Sequence, residues 1–279
     1  HFDPHYMVVT NLFRDQLTRN GNVDVITAIL NQTIRPNVKL ILNANDPISG
    51  NLAPQNPRVY YGMDRTEKSS DQCLNITHDA KVCPRCFGHM EYEYYHYNHI
   101  GKFRCAVCGY ETPEMAYRAT DLDLAAGDFK VNGIPVHTEL KSLFNVLNMT
   151  AVLAICTEVG MDTQKAAQIL STFVVSKLRY DEFQVGGRRG VMLLSKNQNP
   201  VSYDQSISYL LEDEGEKTVV VYVNNINHTN NKDTTWLYDI NFERLLGKVH
   251  SIVAVGPRAY DLAVRLDLAG FPQDQVKVC

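Results

Sequence analysis

The alternation of apolar and polar positions divides the chain into short strands and amphipathic helices. Residues 7–10 form an apolar run leading into a helix with a charged face, and residues 38–43 form a second strand that ends in the turn Asn43-Ala-Asn-Asp46-Pro47. The opening is therefore a strand, helix, strand rhythm. Residues 61–80 are polar and turn-rich and interrupt it. Edge strands follow over 122–136 around a turn at Gly133, then an apolar helix over about 143–158 and another over 163–173, for which Asp162 is a good N-cap. Past residue 179 the pattern gives a strand at 191–194, a helix at about 203–211 and a strand at 218–223, then a helix near Phe242, a strand at 251–255 and a helix at 259–268. Such alternation predicts a parallel sheet covered by helices, with functional loops at the strand C-terminal ends, here residues 195–202, 224–236 and 256–260.

The interruption carries the strongest local chemistry. Cys83, Cys86, Cys105 and Cys108 form two Cys-x-x-Cys pairs with eighteen residues between them, the spacing of a structural zinc ribbon. Four thiolates fill a tetrahedral shell and leave no open position for substrate, so the metal is expected to hold a small module together. Two redox dithiols are the competing reading, and spacing does not separate zinc from iron. Residues 87–104, rich in Tyr and His, are long enough for a short hairpin, and His89, His96 and His99 read as its surface, with a substitute ligand as the alternative. Cys73 reads as a loop thiol and Cys156 as a helix core residue, while Cys279 marks an expected truncation.

With 279 residues and 44% apolar content, the chain is expected to form about two domains. No apolar run approaches the span of a bilayer, so an integral membrane protein is not expected. Thiolate-type cysteine spacing points to a reducing, cytoplasmic setting. A net charge of −4 argues against a nucleic-acid partner. The chain begins at His1 rather than Met, which leads us to expect sequence upstream.

Six segments, in order along nearly the whole chain, resemble the MurT family of Mur-ligase-like proteins. They are Thr10-Asn-Leu-Phe-Arg-Asp-Gln-Leu17, Leu42-Asn-Ala-Asn-Asp-Pro47, the four-cysteine insertion, Leu194-Ser-Lys-Asn197, Asp233-Thr-Thr-Trp236 and Arg258-Ala-Tyr-Asp-Leu-Ala-Val-Arg-Leu266. The fold implied is α/β, with a Mur-ligase-like central, ATP-binding domain over 1–178 that lacks its N-terminal part. The zinc ribbon is inserted at about 81–112, and a Rossmann-like α/β C-terminal domain follows over 179–279, itself expected to be truncated.

The resemblance implies a subunit of the lipid II isoglutaminyl synthase. Such a subunit uses ATP and Mg2+ to activate the α-carboxylate of D-glutamate in the peptidoglycan stem peptide, at the inner face of the membrane on a lipid-linked substrate. Ammonia then comes from a GatD-type glutaminase partner. A carboxylate is a poor electrophile until phosphorylation supplies a leaving group, and that transfer needs metal and placed donors. By the same resemblance, an aspartate here completes a triad whose Cys and His belong to the glutaminase. The best match is Asp233, with Asp239 the runner-up; chemistry alone would make either a loop or capping carboxylate. Trp236, the only tryptophan, could anchor a partner or plug the core.

For the nucleotide, Asn43 and Asp46 match a turn in which an amide pairs with a base edge and a carboxylate with ribose hydroxyls. Chemistry alone explains them equally well as turn residues. Arg179 matches an interdomain arginine near the phosphates, against a solvated linker charge. Lys196 and Asn197 could face the same cleft. Three features depart from the Mur pattern. No phosphate-binding Gly-x-x-x-x-Gly-Lys-Ser/Thr loop occurs; Gln16 stands where many Mur ligases place a metal-binding His, with no lysine over residues 20–38; and Asn45 replaces the first Asp of an Asp-Asp pair. Two other classes therefore compete: a zinc-ribbon adaptor on a Mur-like scaffold, and an amino-acid-adding Mur-type ligase.

Overall fold

The computed structural model describes residues 4–15, 22–140, 142–173, 180–196, 198–224 and 233–279. The chain divides into two units, the first made of His1–Phe13, Val23–Cys73 and His78–Val175, the second of Arg14–Asn22, Leu74–Thr77 and Ser176–Cys279.

In the first unit, strands β1 (Tyr6–Val9), β2 (Lys39–Asn43), β3 (Arg58–Met63), β6 (Tyr117–Asp123), β7 (Asp128–Val131) and β8 (Ile134–His137) form one sheet in the order β1-β2-β3-β6-β7-β8. The pairs β1–β2, β2–β3 and β3–β6 are parallel, and β6–β7–β8 run antiparallel. The middle of strand β2, Leu40-Ile41-Leu42, is apolar and fully buried because the strand is covered on both faces, as parallel strands usually are. Leu40 and Leu42 point to one face, where Leu30 and Ile34, on and just beyond helix α1 (Val23–Thr33), pack against them. Helix α2 (Leu143–Glu158) packs against β1, β2, β3 and β6 through Val146, Leu147, Thr150, Ala151 and Ala154, positions at the three-and-four spacing of a single helix face. Helix α3 (Thr163–Ser171) begins where Asp162 accepts the Lys165 N–H, the N-cap expected from sequence.

Strand β3 falls where the sequence reads as loop from residue 61. The strand is six residues long, and its burial comes from neighbours on both sides rather than from its own alternation. Between the parallel strands β3 and β6 the chain makes its crossover not with a helix but with a hairpin, β4 (Met90–Tyr97) and β5 (Ile100–Cys105), flanked by the four cysteines.

In the second unit, β9 (Tyr180–Val185) and β10 (Arg188–Leu193) form an antiparallel hairpin turning at Gly186 and Gly187. The strand expected at 191–194 is thus the end of a hairpin arm, outside the parallel sheet. That sheet has the order β11 (Thr218–Tyr222), β12 (Ser251–Val255), β13 (Val276–Val278), with all pairs parallel. Helix α4 (Pro200–Glu212) starts at Asn199, whose side chain accepts the Ser202 N–H, and has Pro200 in the first turn. The helix expected near Phe242 is a short 3-10 turn, Phe242–Leu245, and helix α5 (Ala259–Leu268) closes one core with Trp236, Leu237, Ile240, Phe242 and Ile252.

Candidate functional site

The four cysteine sulfurs lie within 4.8 Å of one another, with Cys83 to Cys108 at 3.7 Å and Cys86 to Cys105 at 3.5 Å. Those separations are far beyond a disulfide bond. They match the edges, about 3.8 Å, of a tetrahedron with metal–sulfur bonds of about 2.3 Å. Backbone N–H groups point at the sulfurs: Arg85 to Cys83, Gly88 to Cys86, and Val107 and Cys108 to Cys105, each at 3.4 Å. The donors at Cys108 and Val107 bring the Cys105 thiol down to about 6, so it is readily ionised. The arrangement fits a closed four-thiolate metal site, and Cys73 lies outside it.

The hairpin between the cysteine pairs reaches the turn after β2. The Asp46 carboxylate is fully buried; one oxygen accepts the Leu12 N–H at 2.9 Å, and the other accepts the Ile48 N–H at 2.9 Å and lies 3.2 Å from His99 Nε2, itself 0% exposed. Asn45 accepts the Met63 N–H at 2.9 Å and donates to the carbonyls of Met63 and Gly101 at 3.2 and 3.4 Å, while Gly101 N–H donates to Asn45 O at 2.8 Å. Asn43 accepts the Asn45 N–H and donates to Thr10 O, and Tyr110 Oη donates to Pro47 O at 3.0 Å. Gly62 permits this closure, since a Cβ there would sit 2.6 Å from Asn45 Oδ1. Asn43 and Asp46 are therefore brought together, and what the structure shows for their side chains is the holding of the turn.

His96 and His99 are buried, not on the hairpin surface. Sequence missed this because both faces of the hairpin carry aromatic residues, so no alternation marks the inside. Tyr92 and Tyr95 stack at 4.5 Å, and His78 meets both rings edge-on. Burial lowers His78 and His96 to about 4, His78 also through the nearby His99, so both are neutral near pH 7.

In the second unit, Asp233 is half-buried and its Oδ1 accepts the Thr235 N–H at 2.9 Å, which orients the carboxylate. Trp236 packs into the core beside Tyr203, at 5.3 Å between rings, so the core reading holds for it. Asp239 pairs with Arg14 at 3.5 Å, and Lys196 pairs with Asp15. Arg179 and Asn197 lie outside the described residues.

The residue that sequence reasoning passed over is Arg265, 3% exposed on α5. Its guanidinium donates to the carbonyls of Leu237 and Ile240 at 3.2 and 2.8 Å and to Glu243 at 2.8 Å, clamping the segment that follows Asp233. A buried arginine meeting two end-of-turn carbonyls and a carboxylate is a rigid fork. Its only sequence signal was an arginine on the apolar side of a helix.

Asp204 is also buried, accepting the Asn241 N–H at 2.9 Å and a bond from Asn75. Burial pushes its pKa up to about 6. The unfolded carboxyl releases its proton near 4, so the native state holds the extra proton between about pH 4 and 6. Stability should then fall by up to about 3 kcal/mol as pH rises through that window. We expect the melting temperature of Asp204→Asn, relative to wild type, to climb from pH 4 to pH 6.5. A constant difference would show that Asp204 does not titrate there.

Comparison with known proteins places the chain in two steps. The fold is the Mur-ligase-like α/β fold. It superposes on a pseudomurein peptide ligase type C from Methanothermus fervidus with TM-score 0.68 and 19% identity, covering 98% of this chain and 60% of that one. It also superposes on MurF from Acinetobacter baumannii with TM-score 0.61 and 18% identity, covering 99% and 50%. Among such proteins, the chain is a homologue of MurT. It is 32% identical over 270 residues to the lipid II isoglutaminyl synthase (glutamine-hydrolyzing) subunit MurT of Staphylococcus aureus strain COL, covering 95% of this chain and 60% of that relative. Residues 194–279 match the family model described as MurT ligase C-terminal. The chain thus spans about three fifths of the length of its curated relative.

Proposed function

We propose that this chain is the ATP-using subunit of a lipid II isoglutaminyl synthase, activating the D-glutamate α-carboxylate of the stem peptide for amidation by glutamine-derived ammonia. The observation that carries the reading is the 32% identity, sustained over 95% of the chain, to a subunit of that name. In this reading residues 1–178 are the Mur central domain and 179–279 its Rossmann-like C-terminal partner. The turn Asn43–Pro47 borders the nucleotide, with Asn43 and Asp46 setting its shape and Arg179 meeting phosphate with Mg2+. Cys83, Cys86, Cys105 and Cys108 hold zinc, which when bound supplies a structural cross-link with no open coordination position.

Asp233 faces the histidine of a GatD-type glutaminase. A carboxylate there accepts the imidazole N–H, fixes the tautomer and stabilises the charged form as the partner's thiol gives up its proton. The Thr235 N–H on Oδ1 supports this role by orienting the group before the partner docks. Among the described residues no helix is long and apolar enough to cross a membrane; the reading has the complex work at the cytoplasmic face on a lipid-linked substrate.

The test is to supply the co-produced chain and glutaminase with ATP, glutamine and lipid II, and to follow the stem peptide by mass spectrometry. Conversion of the second-position carboxylate to the amide, dependent on both ATP and glutamine, is expected. Addition of an amino acid instead, or no ATP dependence, would sink the proposal.

A further inference from the structure

Thr234 stands at the start of the 3-10 turn Thr235–Asp239, a position from which a threonine hydroxyl ordinarily caps the turn by accepting a backbone N–H. It makes no such bond. Asp233 supplies the cap from one residue earlier, its Oδ1 accepting the Thr235 N–H. The Thr234 hydroxyl donates instead to Asp261 Oδ1, 27 residues on, at 3.3 Å.

Asp261 is itself held. It lies in the first turn of α5, and Arg258 at the helix N-cap reaches forward to it: Nη2 donates to Oδ1 at 3.1 Å, and Nε lies 3.0 Å from Oδ2. A planar guanidinium against both oxygens of a carboxylate fixes its plane as well as its place. An acidic residue in the first turn of a helix is explained by the helix dipole alone. The dipole does not explain why Thr234 brings its hydroxyl there. Asp261 and Arg265 are four residues apart on α5 and face the same side, where Arg265 grips the Leu237 and Ile240 carbonyls. One helix therefore holds the segment at its start, beside Asp233, and again farther along.

We propose that Asp261, oriented by Arg258, is a positioning residue for Asp233: by holding Thr234 it sets the backbone from which the Asp233 carboxylate meets the glutaminase histidine. The inference rests on the triad role proposed for Asp233. A catalytic carboxylate must be held to within about 0.5 Å of its working place, and a misplacement of about 1 Å costs on the order of a hundredfold in rate. Asp261 and Thr234 act on the reaction only through that placement.

The experiment is glutamine hydrolysis by the full chain co-produced with its glutaminase, with kcat and KM measured separately and assembly checked by size-exclusion chromatography. Thr234→Val keeps the shape of the side chain and removes the donor. It should lower kcat about tenfold to a hundredfold and leave the KM for glutamine unchanged, since in this reading glutamine binds to the partner. Thr234→Ser, which restores the hydroxyl, should recover most of that loss. Asp261→Ala should lose as much as Thr234→Val and the double variant no more, because both break one link; Thr234→Val with Thr234→Ser decides the matter should Asp261→Ala fail to assemble. Hydrogen exchange at the Thr235 amide, which Asp233 caps, should quicken about fivefold or more in Thr234→Val. Losses that add, or that Thr234→Ser does not recover, would overturn the proposal. So would full hydrolysis by Thr234→Val beside an inactive Asp233→Asn, which leaves the triad reading standing. Full hydrolysis by Asp233→Asn would instead bring down the triad reading, and this proposal with it.

Discussion

On the proposed function, Asp233→Asn is expected to lower glutamine hydrolysis by the chain assembled with a glutaminase about ten-thousand-fold, the loss seen when a triad carboxylate becomes an amide. Asp233 Oδ1 accepts the Thr235 N–H, and an asparagine oxygen takes the same bond. What changes is the other half of the group, which becomes an N–H donor where an imidazole N–H needs an acceptor. The histidine would be held in the wrong tautomer and lose the charge that stabilises its protonated form. Asp239→Asn is the control, since that carboxylate is engaged with Arg14. Steady-state glutamine hydrolysis, with size-exclusion chromatography to confirm assembly, decides the matter. Unchanged hydrolysis in Asp233→Asn with a loss in Asp239→Asn would transfer the role.

Cys83→Ser is expected to abolish stoichiometric metal binding and to loosen the turn after β2 as well as the cysteine module. Binding a structural metal to four thiolates contributes on the order of 10 kcal/mol to ordering such a module. Here the module does not hang free, because its hairpin supplies His99 to Asp46 and Gly101 to Asn45, and Tyr110 to the Pro47 carbonyl. Without them Asp46 becomes a buried carboxylate short of a donor, which costs about 1–3 kcal/mol or more. Hydrogen exchange should report a loss of protection of at least about tenfold for amides at 44–48 and 99–101, with the strands β1 and β2 protected as before. Metal content is read in parallel by elemental analysis. Retained metal would refute the ligand assignment, and a module that loosens while the turn stays protected would refute the bracing.

Much of the architecture was legible because local signals agreed with their surroundings. Helices at 143–158 and 259–268 and the strand at 251–255 fall where apolar spacing and flanking residues put them. The four cysteines were legible for a different reason: metal spacing is a covalent pattern that needs no knowledge of the fold. The misses share a cause. Strand β3 and the interior of the hairpin owe their burial to what packs on both sides, so Tyr61, His96 and His99 gave no periodic sign of being inside. Arg265 was hidden in the same way, since its partners are carbonyls 25 and 28 residues away in sequence. At the turn, Asn43 and Asp46 were legible as a pair, but sequence could not show that their polar atoms are bonded to the protein's own backbone and to His99.

The crossover between β3 and β6 also bears on how the chain reaches its fold. Closing a loop costs only about 0.6 kcal/mol more for each doubling of its length. A metal cross-link from Cys83 to Cys108 roughly halves the loop spanning 64–116, so its entropic help to strand pairing is of that small size. The order of strands should therefore assemble whether or not metal has arrived, and what waits for metal is the setting of the turn. A chain without metal would therefore have its parallel strands paired while the cysteine module and the turn at residues 43–47 stayed loose.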